Sequence, residues 1–196
     1  MPRLCIVSLE SLTPYSQSDF YRSERGSKES WEEFEANHWR EKLHITDDGR
    51  VFIPPMGLKF AITEAARRIG RKIPGKRNAT FGKRFEGGII CMDPIVLPVK
   101  ADDVQGEWIN ANADGVRGSG KRVRRCFPVI QSWTAAARFW LTDDEITNDV
   151  FEEAIREAGQ FIGIGRFRPE KGGYYGRFKV TGFAWPNEEI VAQAAE

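Results

Sequence analysis

The sequence predicts an α+β protein whose strands and helices follow one another in the order β-α-β-β-α-β. Short runs of strand character lie near both ends of the chain, at residues 4–9 and 176–185. Two segments with apolar residues at helical spacing, near residues 58–69 and 146–161, lie between them. Further strand candidates fall between those helices, at residues 88–99 and 129–141. This order is that of a ferredoxin-like core.

A long polar stretch, residues 11–48, follows the first strand. One helix is predicted in it, over residues 28–42, where Trp31, Phe34 and Trp39 form an apolar stripe. Loops of this length inside a compact domain are usually functional or mobile. We therefore interpret residues 11–48 as an insertion after the first strand.

The first core helix is predicted after a short strand at residues 50–53. One face is apolar, and Gly70 is placed to end the helix. The opposite face carries Lys59, Arg67, Arg68 and Arg71. The next segment, residues 72–84, is basic and interrupted by Gly and Pro, so we expect an exposed loop or arm. The apolar face consists of Leu58, Ile62, Ala65, Ala66 and Ile69.

A basic hairpin is predicted over residues 106–125, because its centre, residues 114–122, is rich in glycine. The second core helix is expected to begin at residues 143–145, whose acidic side chains complement a helix dipole. The last strand follows, and residues 186–196 form a C-terminal tail that we expect to fray. The buried stripe of the second helix is predicted to be Ile146, Val150, Ala154, Ile155, Ala158 and Phe161.

Length and composition favour a single domain, residues 1–196, in the cytoplasm. The chain has 41% hydrophobic residues, enough for a core, and no apolar run approaches the roughly 20 residues of a membrane span. Cys5, Cys91 and Cys126 are widely spaced and are predicted to be buried free thiols. The cations at 124 and 125 suggest a lowered pKa for the Cys126 thiol.

Charge is segregated along the chain although the net charge is only +1. Nine Lys/Arg and one Glu lie between residues 59 and 84, and five Lys/Arg and no acid lie between 117 and 125. Acidic residues concentrate at 19–48, 102–107 and 143–157. A protein with this distribution can present a basic face to a polyanion, or pair its acidic surface with a neighbouring copy.

The most informative segment for function is residues 163–178. Its sixteen positions hold five glycines, four Arg/Lys and four aromatic residues, between a predicted helix and a predicted strand. Glycine permits close backbone approach, and cations beside aromatic rings suit phosphates and bases. The alternative is a glycine turn that packs the last helix against the last strand. A nucleotide-binding P-loop is excluded, because Gly-Lys-Ser/Thr is absent.

Three segments together resemble the RAMP superfamily, the RNA-recognition-fold proteins that form the backbones of CRISPR effector complexes. The glycine-rich segment resembles the glycine-rich loop of that superfamily. Residues 53–62, Ile-Pro-Pro-Met-Gly-Leu-Lys-Phe-Ala-Ile, resemble the entry to its first helix, and residues 9–17 resemble the first strand and its exit. The departures are Gly57 in place of a small hydroxyl residue, Phe60 in place of a glycine, and an added Arg-Phe-Arg-Pro in the loop.

The resemblance implies an RRM-like core that binds single-stranded RNA or DNA, often as head-to-tail copies along the strand. It also implies that the basic hairpin acts as a thumb over the bound strand. We predict sequence-independent binding, RNA favoured, by a homo-oligomer or as one of several subunits of a ribonucleoprotein complex, with no membrane partner. The predicted contacts are Lys59, Arg67, Arg71, Arg117, Lys121, Arg122, Arg124, Arg125, Arg166, Arg168, Lys171, Tyr174, Tyr175 and Arg177.

No catalytic residue, metal ligand or cofactor is predicted. His38 and His44 are the only histidines, and their spacing does not place them well on one helix face. Two other classes of function stay open. One is a phage-type protein that contacts or inhibits a CRISPR or other defence complex. The other is a metal-independent endoribonuclease, for which His38, His44, Asp19, Asp47 and Asp48 are the residues to consider.

Overall fold

The computed structural model describes residues 1–112, 120 and 122–186. Its main sheet has four strands: β1 (Arg3–Ser11), β4 (Ile89–Ile90), β8 (Thr134–Leu141) and β9 (Phe178–Ala184). The spatial order is β4-β8-β1-β9, and every neighbouring pair is antiparallel. If the four strands are renumbered 1 to 4 in chain order, they lie across the sheet in the order 2-3-1-4. Read from the other edge, this is the 4-1-3-2 order of the ferredoxin-like fold. The predicted fold class is confirmed.

Two helices complete the βαββαβ core. Helix α2 (Pro55–Ile69) joins β1 to β4, and α4 (Asn148–Glu157) joins β8 to β9. Pro55 stands in the first turn, where its missing N–H leaves no bond unmade, and Gly70 ends α2 in a left-handed conformation with φ 62°. Alternate residues of β1 and β8 point into the same core: Cys5, Val7, Leu9, Ala137, Phe139 and Leu141 are all buried.

The insertion is folded onto the rest of the protein. It contains the short strand β2 (Tyr15–Ser16) and the helix α1 (Trp31–His38), which begins with a Ser30–Glu33 capping box and is followed by a 3-10 turn, Trp39–Lys42. Phe34 and Trp39 are buried as the apolar stripe predicts, whereas Trp31 is exposed. The predicted helix is therefore correct in place but shorter than residues 28–42.

Two smaller sheets flank the core. Strand β3 (Arg50–Ile53) pairs with β5 (Ile95–Lys100). The hairpin consists of β6 (Gln105–Asn112) and β7 (Arg122–Ile130), with Trp108 opposite Cys126, and β2 pairs with the end of β7. The strands of the predicted hairpin are therefore present. Most of its glycine-rich tip, and the tail beyond residue 186, lie outside the described residues.

Three local predictions are wrong. Residues 143–145 do not begin α4, whose N-cap is Thr147; the carboxylates of Asp143 and Glu145 instead pair with Arg84. The segment 72–84 is not only a loop, since helix α3 (Gly82–Gly88) starts within it. Phe161 is 42% exposed, because α4 continues as one π turn, Ala158–Ile162, that shifts the buried face.

Candidate nucleic-acid interface

The segment 163–177, here called the glycine loop, needs its glycines for packing within the chain. Gly163, Gly165, Gly172 and Gly176 all have positive φ. A Cβ on Gly165 would lie 2.4 Å from the Tyr15 ring, and one on Gly176 would lie 1.9 Å from the carbonyl oxygen of Ile164. Both distances are far below any real contact. The close backbone approach that the sequence indicates is thus made to this protein's own chain.

Backbone hydrogen bonds seat the glycine loop on the start of the insertion. The N–H of Arg166 donates to the carbonyl of Ser16 at 2.9 Å, and the N–H of Gly176 donates to the carbonyl of Pro14 at 2.7 Å. The N–H of Leu12 donates back to the carbonyl of Arg177 at 2.8 Å. The insertion therefore fixes where the side chain of Arg166 points.

Arg166 is a half-buried cation surrounded by aromatic rings. Its guanidinium carbon lies 3.7 Å from the ring centroid of Phe127, 5.4 Å from that of Phe167 and 6.0 Å from that of Tyr175. Among the described residues it makes no ion pair with a carboxylate; Glu107, bonded to the Tyr175 hydroxyl, acts on it only from a distance. Burial lowers the pKa of Arg166, which marks a cation whose charge is incompletely compensated.

A groove of about 1110 Å³ separates the glycine loop from the β6–β7 hairpin. Arg122 and two asparagines line it from the hairpin, and Arg166, Phe167 and Lys171 line it from the loop. Glu170 also lies along the groove, where it pairs with Arg168 and Lys171. The site therefore offers cations, aromatic faces and amide groups together. The full lining is Ser18, Ile109, Asn110, Ala111, Asn112, Gly120, Arg122, Phe127, Arg166, Phe167, Glu170, Lys171 and Gly172.

A second cavity, of about 300 Å³, shares Ser18 and Arg166 with the groove and reaches the start of α2. No side chain caps that helix and no acidic residue stands in its first turn, so its N–H groups and dipole favour an anion. His44 lines the same cavity, and its Nδ1 lies 3.2 Å from a carboxylate oxygen of Asp19. The two cavities together form a track from the hairpin to the helix end.

The middle of the hairpin, at Cys126 of β7, is fixed by a buried ion cluster. Lys42 Nζ donates to Glu35 Oε2 and to the carbonyl of Cys126, both at 2.7 Å, and the N–H of Cys126 donates to Glu35 Oε2 at 3.0 Å. The side chains of Glu35 and Lys42 are 1% and 3% exposed. Although burial opposes the charged form of Glu35, its hydrogen bonds to Lys42 and Cys126 hold the pKa of that carboxyl below its usual range. The acidic insertion thus clamps the hairpin.

Two of the predicted contacts lie at this clamp. Arg125 Nη1 lies 3.2 Å from Glu35 Oε1, and Arg124 Nη1 donates to Glu32 at 2.7 Å while its guanidinium covers the Trp108 ring at 5.2 Å. Arg122 is exposed and has no carboxylate partner among the described residues. Arg117 and Lys121 lie outside the described residues.

The remaining predicted contacts of the glycine loop differ in availability. Arg168 pairs with Glu170 and lies over the exposed Phe60 ring at 5.4 Å. Arg177 donates to the carbonyl of Gln160. Tyr175 is buried with its hydroxyl donating to Glu107, whereas Tyr174 is 55% exposed and stacks on Tyr175 with ring centroids 4.3 Å apart.

The predicted contacts on α2 (Lys59 and Arg67) and directly after it (Arg71) lie apart from the groove and are paired. Arg71 bonds Asp149 at 2.7 Å and Glu153 at 2.9 Å. Arg67 bonds Glu64 and Glu86, and Lys59 Nζ donates to the carbonyl of Glu86 at 2.8 Å. None of these three cations lines the groove or the second cavity.

Phe167 is a groove residue that the sequence did not single out. It is 57% exposed, and its φ of 54° is the only positive value at a non-glycine position in the described part of the chain. For a residue with a Cβ this conformation costs about 1–2 kcal/mol. The signal in the sequence was the added Arg-Phe-Arg-Pro, but a backbone angle cannot be inferred from it.

The three cysteines were predicted to be buried free thiols, one of them with a lowered pKa. Cys5, Cys91 and Cys126 are buried free thiols, as predicted. The expected lowering of the Cys126 pKa is wrong, because desolvation by burial outweighs the effect of the neighbouring cations and raises the pKa.

No three His, Cys, Asp or Glu side chains gather as metal ligands within residues 1–112, 120 and 122–186. In the same residues no helix has the length and apolar character of a membrane span.

Fold and site define an α+β protein with a ferredoxin-like core and a cationic, aromatic groove. No family model and no curated protein matches the chain. Among solved structures it is similar to Cmr6 from Pyrococcus furiosus, at 11% identity over 92% of this chain and 98% of that one, with a TM-score of 0.47.

Two further structures belong to CRISPR complexes. One is a chain of the type III-B Cmr-beta complex bound to cognate target RNA, at 11% identity, a TM-score of 0.47, and coverage of 94% of this chain but 60% of that one. The other is a chain of a CRISPR RNA-guided surveillance complex, at 11% identity, a TM-score of 0.37, and coverage of 89% and 66%. Since every TM-score is below 0.5, the fold assignment rests on the strand order above.

Proposed function

We propose that this protein binds single-stranded nucleic acid, RNA favoured, in the groove between the glycine loop and the β6–β7 hairpin. The observation that carries the proposal is the state of Arg166. It is a half-buried cation with aromatic rings around it and no carboxylate partner among the described residues, at the place where groove and second cavity meet. A phosphate would supply the missing counter-charge, and bases would stack on the rings.

The strand would follow the track from the hairpin to the start of α2. Arg122 and Lys171 would contact phosphates on the two walls of the groove, and the open N-terminus of α2 would hold a further phosphate. These contacts read the backbone and not the base sequence. Sequence-independent binding that weakens steeply with salt follows from them.

The sequence also predicts protein partners, either further copies of this chain or other subunits of a ribonucleoprotein complex. Binding along a strand would allow several copies to sit side by side, within a homo-oligomer or a ribonucleoprotein complex. The acidic residues that we expected to contact a second copy are, in part, engaged within this chain: Asp149 and Glu153 with Arg71, and Glu32 with Arg124. Copy-to-copy contacts would therefore be made through the bound strand first.

The test is fluorescence anisotropy with labelled single-stranded RNA, single-stranded DNA and duplex, each at two salt concentrations. Arg122→Glu should weaken binding to every single strand about 10-fold, because one phosphate contact becomes a repulsion. The matched control is Arg71→Glu, which lies just after the end of α2 and outside the groove and should leave affinity within twofold. Equal losses in both variants, or binding that salt does not change, would contradict the proposal.

A second candidate function, metal-independent cleavage of RNA, is favoured by one observation. His44 pairs with Asp19 and lines the cavity that Arg166 and the start of α2 also line. In such an arrangement His44 would accept the proton of a ribose 2′-hydroxyl, whose oxygen would attack the adjacent phosphorus. The bond to the 5′-oxygen of the next nucleotide would break, with water supplying the proton of that leaving group, and the cationic groups would stabilise charge on the phosphate. Incubation of RNA with excess EDTA would then give 2′,3′-cyclic phosphate ends, and His44→Ala would leave the RNA intact. Intact RNA with the unmodified protein removes this candidate.

A further inference from the structure

Phe167 combines two features that each lower the stability of the folded protein. Its backbone adopts a left-handed conformation that L side chains rarely take, and 57% of its side chain is exposed to water. The glycine loop uses glycine at its other positive-φ positions, Gly163, Gly165, Gly172 and Gly176. The one place where a large aromatic ring stands in that conformation is also the place that faces the groove.

The surrounding loop holds Phe167 in this conformation. The N–H of Tyr175 donates to the Phe167 carbonyl at 3.2 Å. A Cβ on Gly173 would lie 1.7 Å from that same carbonyl oxygen, so the chain can pass there only with glycine. Arg166, directly before it, is held against Phe127 with 3.7 Å between guanidinium and ring centroid. The ring of Phe167 is therefore presented on a fixed support.

From this geometry we infer that Phe167 is a stacking platform for an unpaired nucleobase. The inference rests on the proposed function and specifies its ligand: a single strand whose base can leave its neighbours and lie on the ring, while its phosphate meets the guanidinium of Arg166. A duplex offers its base faces to other bases and not to a side chain. The platform therefore selects single strands by the accessibility of the base face.

The strain at Phe167 gives the test two readouts that move in opposite directions. Phe167→Gly removes the ring and relieves the left-handed backbone, so it should raise the melting temperature while it weakens binding of labelled oligouridylate about 10-fold. Phe167→Trp should bind at least as tightly as the unmodified protein. The control is Phe161→Ala, which removes an exposed aromatic ring that lies outside the groove and should leave affinity within twofold.

A second probe is the same oligonucleotide with abasic nucleotides in place of some bases. Loss of bases should weaken binding to the unmodified protein and should have a smaller effect on Phe167→Gly, because both changes remove the same contact. If the unmodified protein binds oligouridylate and Phe167→Gly binds equally well, the platform is refuted while the groove stands. Equal affinity for duplex refutes it as well. If the unmodified protein binds no single strand, the proposed function itself fails, and a lower melting temperature of Phe167→Gly would separately refute the argument from strain.

Discussion

The cationic side chains near α2 and those of the groove between hairpin and glycine loop both include arginines. The two sets differ in whether these arginines pair with carboxylates. Arg67 on α2 and Arg71 just after its C-terminal end each bond two carboxylates. In the groove, Arg122 and Arg166 have no carboxylate partner among the described residues, and Arg166 is partly withdrawn from water. A run of positive charge in the sequence therefore does not tell which of its cations are available to a polyanion, because that depends on where the fold places the carboxylates.

The largest expected effect tests the clamp beneath the groove. Lys42→Ala would leave Glu35 buried with its main partner removed, and we expect a loss of about 3–5 kcal/mol in the free energy of unfolding, measured in urea. The control is Arg71→Ala, just after the end of α2, whose ion pairs are exposed and whose loss should stay below about 1 kcal/mol. Comparable losses in both variants would show that the clamp is no stronger than a surface pair.

The packing of the glycine loop gives the next effect. Gly165→Ala places a Cβ 2.4 Å from the Tyr15 ring at a φ of 75°, so overpacking and backbone strain act together. We expect a loss of about 3 kcal/mol in the free energy of unfolding. A loss below about 1 kcal/mol would mean that loop and insertion move apart easily, and then the position of Arg166 would not be fixed.

Acid should loosen the insertion through Glu41. Burial opposes its ionisation, but hydrogen bonds from Ser23, from the N–H of Arg22 and from His38 lower the pKa of Glu41 to about 2. Its contribution to stability is therefore complete above pH 4.5 and is lost as the pH falls toward 2. Glu41→Gln should remove about 2 kcal/mol at pH 7 and flatten the stability profile between pH 4.5 and 2.

A matched carboxylate on α2 sharpens this prediction. Among the described residues Glu64 pairs with the exposed Arg67 alone, and Glu64→Gln should change the free energy of unfolding by less than about 0.5 kcal/mol. Urea titrations at several pH values would compare the two variants. If the profile of Glu41→Gln keeps its slope below pH 4.5, another acid is responsible for it.

Neutral substitutions test whether the cations of the groove or those of α2 contribute to single-strand affinity. Arg166→Gln should weaken single-strand binding about 10-fold, or about 1.4 kcal/mol, and should reduce the slope of log affinity against log salt by about one contact. Arg67→Gln should change neither. If Arg67→Gln is the more damaging variant, α2 and not the groove is the binding face.

The smallest effect is expected at the start of α2. A Cβ on Gly57 would meet no atom within 4 Å, so Gly57→Ala should raise the free energy of unfolding by about 0.5–1 kcal/mol through helix propensity alone. Thermal unfolding measures it. A fall in stability there would indicate that the first turn of α2 is under strain that its geometry does not show.

The core fold could be predicted because its information is local. The apolar spacing of α2 and of β1 and β8 follows helix and strand periods, and Leu58, Ile62, Val7 and Phe139 are buried accordingly. Boundaries were less accurate. The acids at 143–145 resemble a helix start, but Asp143 bonds Arg84, 59 residues away, a contact that no local pattern encodes.

The site could be predicted only in part for the same reason. The sequence indicated the hairpin and the glycine loop, and the structure brings Arg122, Arg166 and Lys171 to one groove. It did not reveal that Arg71 meets Asp149 across 78 positions of sequence, or that Arg125 meets Glu35 across 90. It also placed Tyr174 and Tyr175 among the predicted contacts and not Phe167, whereas Tyr175 is buried and Phe167 faces the groove.

The bond from Lys42 to the Cys126 carbonyl ties two parts of the chain that lie 84 positions apart. Amide exchange in the middle of β7, around Cys126, should therefore slow and quicken together with exchange in the insertion, as a single cooperative unit. The hairpin is therefore not an independent structural unit. An engineer who moved it to another scaffold would have to bring the upstream acidic helix along, or redesign the contact from which it projects.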